Sequence, residues 1–390
     1  MKRLGQFQLT QQAVETLAEH YETPLLVLSL DQIEKNYQFL KSNLPKVKLY
    51  YAMKANPDLR ILETMAELGS SFDVASDGEI RTLAELGIEG ERMIYANPIK
   101  TERGFKACKD VGVNKFTFDS ISEVTKMAKA YPGATVLLRV RIDNAKAHVD
   151  LNKKFGAPRE KAMELLKAAK DAGLDAAGIC FHVGSQTMYA DPYLHALDIA
   201  RGIFDEAKEN GMDLRIMDIG GGFPVPESKV RFNLAEILGQ INARLEEDFP
   251  NVEIWAEPGR FICGTAVNLI TKVIGVNERN GQTWYFLDDG IYGTFSGVIF
   301  DQWDYKLLSF KKGKKHEATF AGPSCDSLDI MFRGKMTVEL DVDDLILVPA
   351  CGAYTSASAT TFNGFHKAQI IIWEEVAKEL NLEHCLAKAV

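Results

Sequence analysis

The sequence predicts an α/β protein in which a (β/α)8 TIM barrel is joined to a mostly β domain that also takes in an N-terminal strand. From about residue 47 to 257, short β-branched or aromatic runs alternate with longer segments of helical apolar spacing, the pattern of successive βα units. The ends of those runs are polar, as the catalytic rim of a barrel demands. Beyond Gly264 the texture changes to β-rich runs separated by Gly, Asp and Asn turns.

In chain order, a helical segment and the breaker Pro24 precede the apolar run Leu25–Leu30, which is expected to join the β domain. Eight barrel strands follow at Lys48–Met53, Phe72–Ala75, Met93–Ala96, Lys115–Phe118, Thr135–Val140, Gly178–Val183, Leu214–Ile219 and Glu253–Ala256. Segments such as Leu59–Leu68, Glu79–Leu86, Ile121–Ala130, Arg159–Ala172 and Tyr193–Glu209 carry the apolar stripes of intervening helices. Later strands are expected at Ala266–Val276, Thr283–Leu287, Glu317–Phe320, Leu345–Val348 and Gln369–Trp373. The division is then a barrel over residues 36–262, with residues 1–35 and 263–390 forming a discontinuous β domain.

The composition is that of an ordinary globular protein, 25% charged and 46% hydrophobic, without repeats or low-complexity tracts. A formal net charge of −9 and the lack of an unbroken Lys/Arg run of five or more argue against nucleic acid or an anionic membrane as partner and mildly favour a cationic small substrate. The six cysteines are scattered, with no C-x-x-C pair and no zinc-ligand spacing, so free thiols, a reducing compartment and no metal are expected. Leu25–Leu30 is too short to span a bilayer and follows acidic residues, so the expected location is the cytoplasm.

The strand ends carry chemistry. Lys54 follows the first, Asp73 lies in the second, Asn97 and Asp119 follow the third and fourth, Arg139 lies in the fifth and His182 in the sixth. Gly220, Gly221 and Gly222 follow the seventh, and Glu257 with Arg260 the eighth. Three glycines after a strand expose N–H donors that a phosphate can approach closely, and barrels commonly bind phosphate after strands seven and eight. Arg260 adds a bidentate charge at the same place. A triple glycine alone is as often a flexible loop, but the neighbouring arginine favours the phosphate site. Among phosphate-bearing cofactors, pyridoxal 5'-phosphate (PLP) needs a lysine for its Schiff base and a charged partner for its ring nitrogen, roles that Lys54 and Glu257 match.

At this point a family resemblance is visible. Tyr51-Ala52-Met53-Lys54-Ala55-Asn56, Phe72-Asp73-Val74-Ala75-Ser76, His182-Val183-Gly184-Ser185, Asp218-Ile219-Gly220-Gly221-Gly222-Phe223-Pro224, Glu257-Pro258-Gly259-Arg260, Gly322-Pro323-Ser324-Cys325-Asp326 and Gly352-Ala353-Tyr354 resemble the fold-type III, alanine racemase-like PLP decarboxylases of basic amino acids. Together these ordered motifs are specific, whereas the triple glycine or the Glu-Pro-Gly-Arg alone is weak. The resemblance runs from about residue 20 to the end and is strongest to bacterial lysine/ornithine decarboxylases.

The resemblance implies decarboxylation of L-lysine or L-ornithine to cadaverine or putrescine, a step of polyamine biosynthesis. It implies that Lys54 is the Schiff-base lysine with Asp73 near it, that His182 stacks on the cofactor ring, and that Glu257, supported by Arg139, pairs with the ring nitrogen. Ser185, the Gly220–Gly222 amides, Arg260 and Tyr354 would hold the phosphate. It also implies a homodimer whose β domains complete each other's sites, with Cys325 as the proton donor in trans and Lys154 paired to the other subunit's Asp329. Asp301 and Asp326 would receive the distal ammonium, with Tyr292, Ser324 and Phe362 lining the pocket.

Three departures bear on substrate breadth. Phe300 stands where a tyrosine is often found, Ser327 where glycine is common, and Ala350-Cys351 where an acidic residue is frequent. The rival readings are a diaminopimelate decarboxylase, disfavoured because such enzymes typically show Cys-Glu-Ser where this chain has Cys325-Asp326-Ser327, and a racemase, which needs a second base where this chain has Cys325. A third is a non-catalytic regulatory binding protein, disfavoured by the retention of Lys54, Glu257, Arg260 and Cys325.

Overall fold

A computed structural model describes residues 5–144, 154–226 and 232–387. The chain divides into two compact units: residues 1–36, 55–57 and 262–390 form one, and residues 37–54 and 58–261 the other.

Strand β1 (Leu25–Leu28) belongs to the first unit. The second unit is a closed parallel barrel of eight strands, β2 (Val47–Ala52), β3 (Ser71–Val74), β4 (Met93–Tyr95), β5 (Lys115–Phe118), β6 (Thr135–Val140), β7 (Asp175–Phe181), β8 (Ile216–Asp218) and β9 (Glu253–Ala256). β2 pairs with both β3 and β9, which closes the ring and leaves no free edge. Every predicted barrel strand is found, displaced by a few residues where an apolar run continues into the following loop. The interior is filled by Tyr50, Ile94, Ala96, Leu137, Ala177, Cys180, Ile216 and Trp255, so the barrel is a packed core and its chemistry is confined to the rim. Helices between strands begin at residues whose side chains accept a free first-turn amide: Ser76 from Glu79 at 3.2 Å, Thr101 from Gly104 at 3.0 Å and Ser120 from Glu123 at 3.4 Å. Lys100 is buried in this unit, where its ammonium meets Glu123 at 3.2 Å and the carbonyls of Asn97 and Thr117 at 3.0 and 2.5 Å.

In the first unit, the long strand β10 (Val267–Arg279) organises a sheet with β11 (Gln282–Leu287), β12 (Leu308–Ser309), β13 (His316–Ala321), β14 (Ile330–Thr337), β15 (Leu345–Val348) and β16 (Gln369–Ile372). A register shift between Val273 and Gly275 bends β10, so its first half pairs with β1 and β15 and its second half with β11. β1 lies antiparallel to β10 and parallel to β16, which puts the N-terminal run into this sheet as expected. A core of Leu17, Leu25, Val27, Ile270, Leu347 and Trp373 forms beneath it. Glu374 accepts from Leu30 and Asp31 N–H at 3.1 and 3.2 Å and from the Ser29 hydroxyl, capping the helix that starts at Leu30. Two strands were not anticipated: β12 has only two residues, and β14, Ile-Met-Phe-Arg-Gly-Lys-Met-Thr, interrupts its alternation with Gly334. Trp373 opens a helix instead of ending β16.

Candidate active site

Within the barrel unit, Lys54 leaves the end of β2 in a short 3-10 turn, and its ammonium is bonded to Asp73 Oδ2 on β3. Asp73 is buried, and its Oδ1 has no hydrogen-bond partner among the described residues. The register puts Ala52 beside Asp73, so the pairing of the first two barrel strands brings the two groups together.

Two further carboxyls stand on neighbouring strand ends. Asp218, at the end of β8, is fully buried; its Oδ1 accepts from Gly220 N–H at 2.8 Å and its Oδ2 has no donor among the described residues. Burial, opposed by that amide, pushes Asp218 up to about 6. Glu257, after β9, is raised well above the ordinary carboxylate range, by desolvation first, then by the negative charges of Asp218 and Asp73; the Lys54 and Arg139 cations oppose this. Both carboxyls are more favourable ionised if another cation enters. Arg139 makes no ion pair with Glu257; its guanidinium lies 5.8 Å from the Phe155 ring and acts on the carboxyls at a distance.

His182 directly follows β7. Its Nδ1 accepts from Gly184 N–H at 2.9 Å, so the neutral ring carries its proton on Nε2. Burial lowers the imidazole to about 3, helped by the Arg139 and Lys54 charges, and the ring is uncharged at neutral pH. An uncharged flat ring suits stacking on another aromatic ring.

The triple glycine is a steric necessity. A Cβ at Gly220 would lie 2.2 Å from Phe181 O, at Gly221 2.5 Å from Glu257 O, and at Gly222 2.3 Å from Gly184 O. Gly220 and Gly222 also take positive φ, at 67° and 95°. Tyr193 braces the turn: its buried hydroxyl donates to Gly221 O at 2.8 Å, and its ring stacks on Phe223 at 5.7 Å. Gln186 joins the loops after β7 and β8, donating to Val225 O at 3.0 Å and accepting from Val225 N–H at 2.7 Å. Arg260 Nε donates to Ser185 Oγ at 3.4 Å, so two of the expected phosphate ligands adjoin.

The other expected residues cluster in the sheet unit. The Tyr292 hydroxyl donates to Asp326 Oδ2, and the Tyr292 and Phe362 rings stack at 4.3 Å. Asp326 also accepts from Leu328 N–H at 2.9 Å; that bond first, then the Tyr292 hydroxyl, holds its carboxyl below the ordinary value. Cys325 is exposed, and its amide and thiol both point to Asn363 Oδ1, at 3.2 and 3.3 Å. The buried Ser324 hydroxyl has no partner among the described residues. Asp301 is half-buried at the end of a helical turn, its amide donating to Gly297 O at 2.9 Å. Tyr354 takes φ 56°, and its N–H donates at 2.8 Å to the carbonyl of Ala55, the residue after Lys54.

The expected pairing of Lys154 with Asp329 meets other engagements. The Lys154 ammonium lies 4.9 Å from the centre of the Phe155 ring. Asp329 is only 2% exposed, and its two oxygens accept from Ile291 and Ser324 N–H at 2.9 and 3.0 Å. Within one chain it organises the loop that carries Ser324, Cys325 and Asp326.

Residues 30–264 match the family described as pyridoxal-dependent decarboxylase, pyridoxal binding domain. The chain belongs to the pyridoxal-dependent decarboxylases. It is 55% identical to the lysine/ornithine decarboxylase of Selenomonas ruminantium over 370 residues, covering 95% of this chain and 94% of that one. A solved structure of SrLDC in complex with PLP and cadaverine matches with a TM-score of 0.92 and 52% identity, over 98% of this chain and 99% of that one. At 38% identity stands antizyme inhibitor 2 of Xenopus laevis, over 87% of this chain and 78% of the relative.

The barrel rim fits the family's cofactor on physical grounds. The glycine turn leaves no room for a Cβ, the buried Asp73 and Asp218 oxygens await donors, and the raised Glu257 calls for a cation such as a protonated ring nitrogen. Tyr193, Asp218 and Asn363 were not singled out from the sequence. Asp218 sits inside a recognised motif, but Tyr193 reads as one apolar position of a helix and Asn363 as a turn residue.

Proposed function

We propose that this chain uses PLP to remove the α-carboxylate of L-lysine, L-ornithine or both, forming cadaverine or putrescine and carbon dioxide. The observation that carries the reading is the grouping of Lys54–Asp73, Glu257–Asp218 and the glycine cradle on one barrel rim. When bound, PLP supplies an electron sink for the pair released as carbon dioxide leaves.

The chain's own groups then have distinct tasks. Lys54 would hold the cofactor covalently, and Asp73 aims its side-chain nitrogen. Glu257 favours a proton on the ring nitrogen, while Arg139 offsets the crowded carboxyls. The Gly220–Gly222 amides, Ser185, Arg260 and Tyr354 take the phosphate, and neutral His182 covers the ring. Cys325 gives its proton to the carbon that has lost carbon dioxide. Asp326 and Asp301 receive the distal ammonium, and the lowered Asp326 is ionised for that task. Ser324, Tyr292 and Phe362 line the approach.

The same charge logic ranks the substrates. Meso-diaminopimelate carries a second carboxylate, which Asp326 and Asp301 repel, whereas lysine and ornithine differ by one methylene, worth only about 1–3 kcal/mol in a pocket. Comparing kcat/KM for lysine, ornithine, arginine and meso-diaminopimelate tests this; equal use of diaminopimelate overturns the substrate assignment. Borohydride reduction of cofactor-supplied protein should leave the pyridoxyl adduct on Lys54. Its absence by mass spectrometry would instead favour a regulatory binding protein.

We also propose a homodimer with shared sites. Exposed Phe300 and Leu328 lie within two residues of Asp301 and Asp326, which are assigned to substrate, and exposed apolar side chains so placed support an interface. In such a dimer, Lys154 would meet the remaining acceptor capacity of Asp329 across the two-fold axis. A cytoplasmic location suits a reaction that needs Cys325 reduced. Among the described residues, no helix is long and apolar enough to cross a membrane.

A further inference from the structure

We infer that Asn363 is a positioning residue that aims the Cys325 thiol for proton delivery; this rests on the reading of Cys325 as the proton donor. The two residues are 38 positions apart, yet Asn363 Oδ1 receives both Cys325 N–H at 3.2 Å and Cys325 Sγ at 3.3 Å. The backbone N–H can only donate, so it fixes which end of the amide faces the cysteine: the carbonyl oxygen, not the NH2 group. A carbonyl beside a thiol accepts from S–H, so this contact fixes where the Cys325 proton points.

The loop is built to hold that oxygen in place. Asn363 takes φ 56°, a left-handed conformation that asparagine tolerates better than most residues, and Gly364 follows at φ 78°. Phe362 stacks on Tyr292, whose hydroxyl is bonded to Asp326. The 362–364 turn is thus held at two points, by the Phe362 stack on Tyr292 and by the Asn363 oxygen on Cys325. During turnover the S–H bond breaks, its electron pair stays on sulfur, and the proton forms the new C–H bond at the carbon that lost carbon dioxide. Solvent then returns a proton to the thiolate, and Asn363 recaptures the thiol. A thiol that is turned away would leave the cofactor carbon to take the proton, which diverts the amine to an aldehyde and the cofactor to its pyridoxamine form.

The test uses the full-length protein. Cys325 is the exposed thiol, the other five cysteines being buried, so its rate of alkylation by iodoacetamide, read by mass spectrometry, reports how firmly the thiol is held. Asn363→Gly removes the amide while keeping the left-handed turn, and Asn363→Asp retains an oxygen but adds charge. Alkylation should be about 3-fold faster in N363G, which frees the thiol, and slower in N363D, whose charge opposes the attacking thiolate. N363G should also lower kcat with KM unchanged and increase pyridoxamine phosphate formed per carbon dioxide released. Equal alkylation rates in the three proteins overturn the inference, and the glycine and aspartate arms cover each other should one fold poorly. A Cys325→Ser variant separates the two claims: if its pyridoxamine-to-carbon-dioxide ratio matches wild type, the donor reading of Cys325 fails, while the alkylation profile still judges Asn363.

Discussion

Asp289 shows how a single buried group sets a pH response. One of its oxygens accepts from Gly290 and Thr294 N–H at 2.8 and 3.0 Å, the other has no partner among the described residues, and burial raises the carboxyl from 3.8 to about 6. Between those values the folded chain holds a proton that the unfolded chain has released. Stability therefore falls as pH rises from about 4 to about 6 and stays lower above, by roughly 3 kcal/mol for a shift of this size. Asn in place of Asp289 removes that dependence, so the stability of D289N minus that of wild type should grow in its favour from pH 4 to pH 7. Urea midpoints across that range check it, and a constant difference would show that the carboxyl titrates normally. No motif announces this residue, because its pKa comes from what surrounds it. Lys54, by contrast, stands out in the sequence through its place directly after an apolar strand.

Elements decide where the loop chemistry points. The β7–β8 pairing requires Gly178, whose Cβ would lie 1.8 Å from Ile216 O, and the turn beyond β8 requires its three glycines for the same steric reason. Tyr193, on the helix Asp191–Glu209, then fixes the turn by one hydrogen bond to Gly221 O. Tyr193→Phe keeps the stack on Phe223 and deletes that bond, worth about 1 kcal/mol, so PLP affinity should weaken by about 5-fold while the fold persists. Fluorescence titration of the apoprotein measures it; unchanged affinity means the glycines hold their shape unaided. The barrel strands were legible because buried parallel strands read as apolar runs. β12 and β14 were not, because one is two residues long and the other half exposed and broken by Gly334, leaving no clean period to detect.

At the scale of the molecule, the proposed shared sites predict complementation. Lys54→Ala and Cys325→Ala homodimers each lack one essential group at both sites, whereas a mixed dimer has one site with both groups intact. Random reassociation of equal amounts should restore about a quarter of wild-type activity. No recovery, with mixed dimers verified by mass, would place both groups in one chain's site.

The sequence by itself determined the βα alternation, the family and the identity of the polar groups at the strand ends, because strand period, glycine sterics and motif order are local properties of the chain. Only the tertiary structure decided that Asp218 and Glu257 crowd each other, that Tyr193 braces the glycine turn, that Asp329 is occupied by its own loop, and that Asn363 reaches Cys325. These depend on burial and on contacts between distant residues, which arise when the chain closes on itself and water leaves.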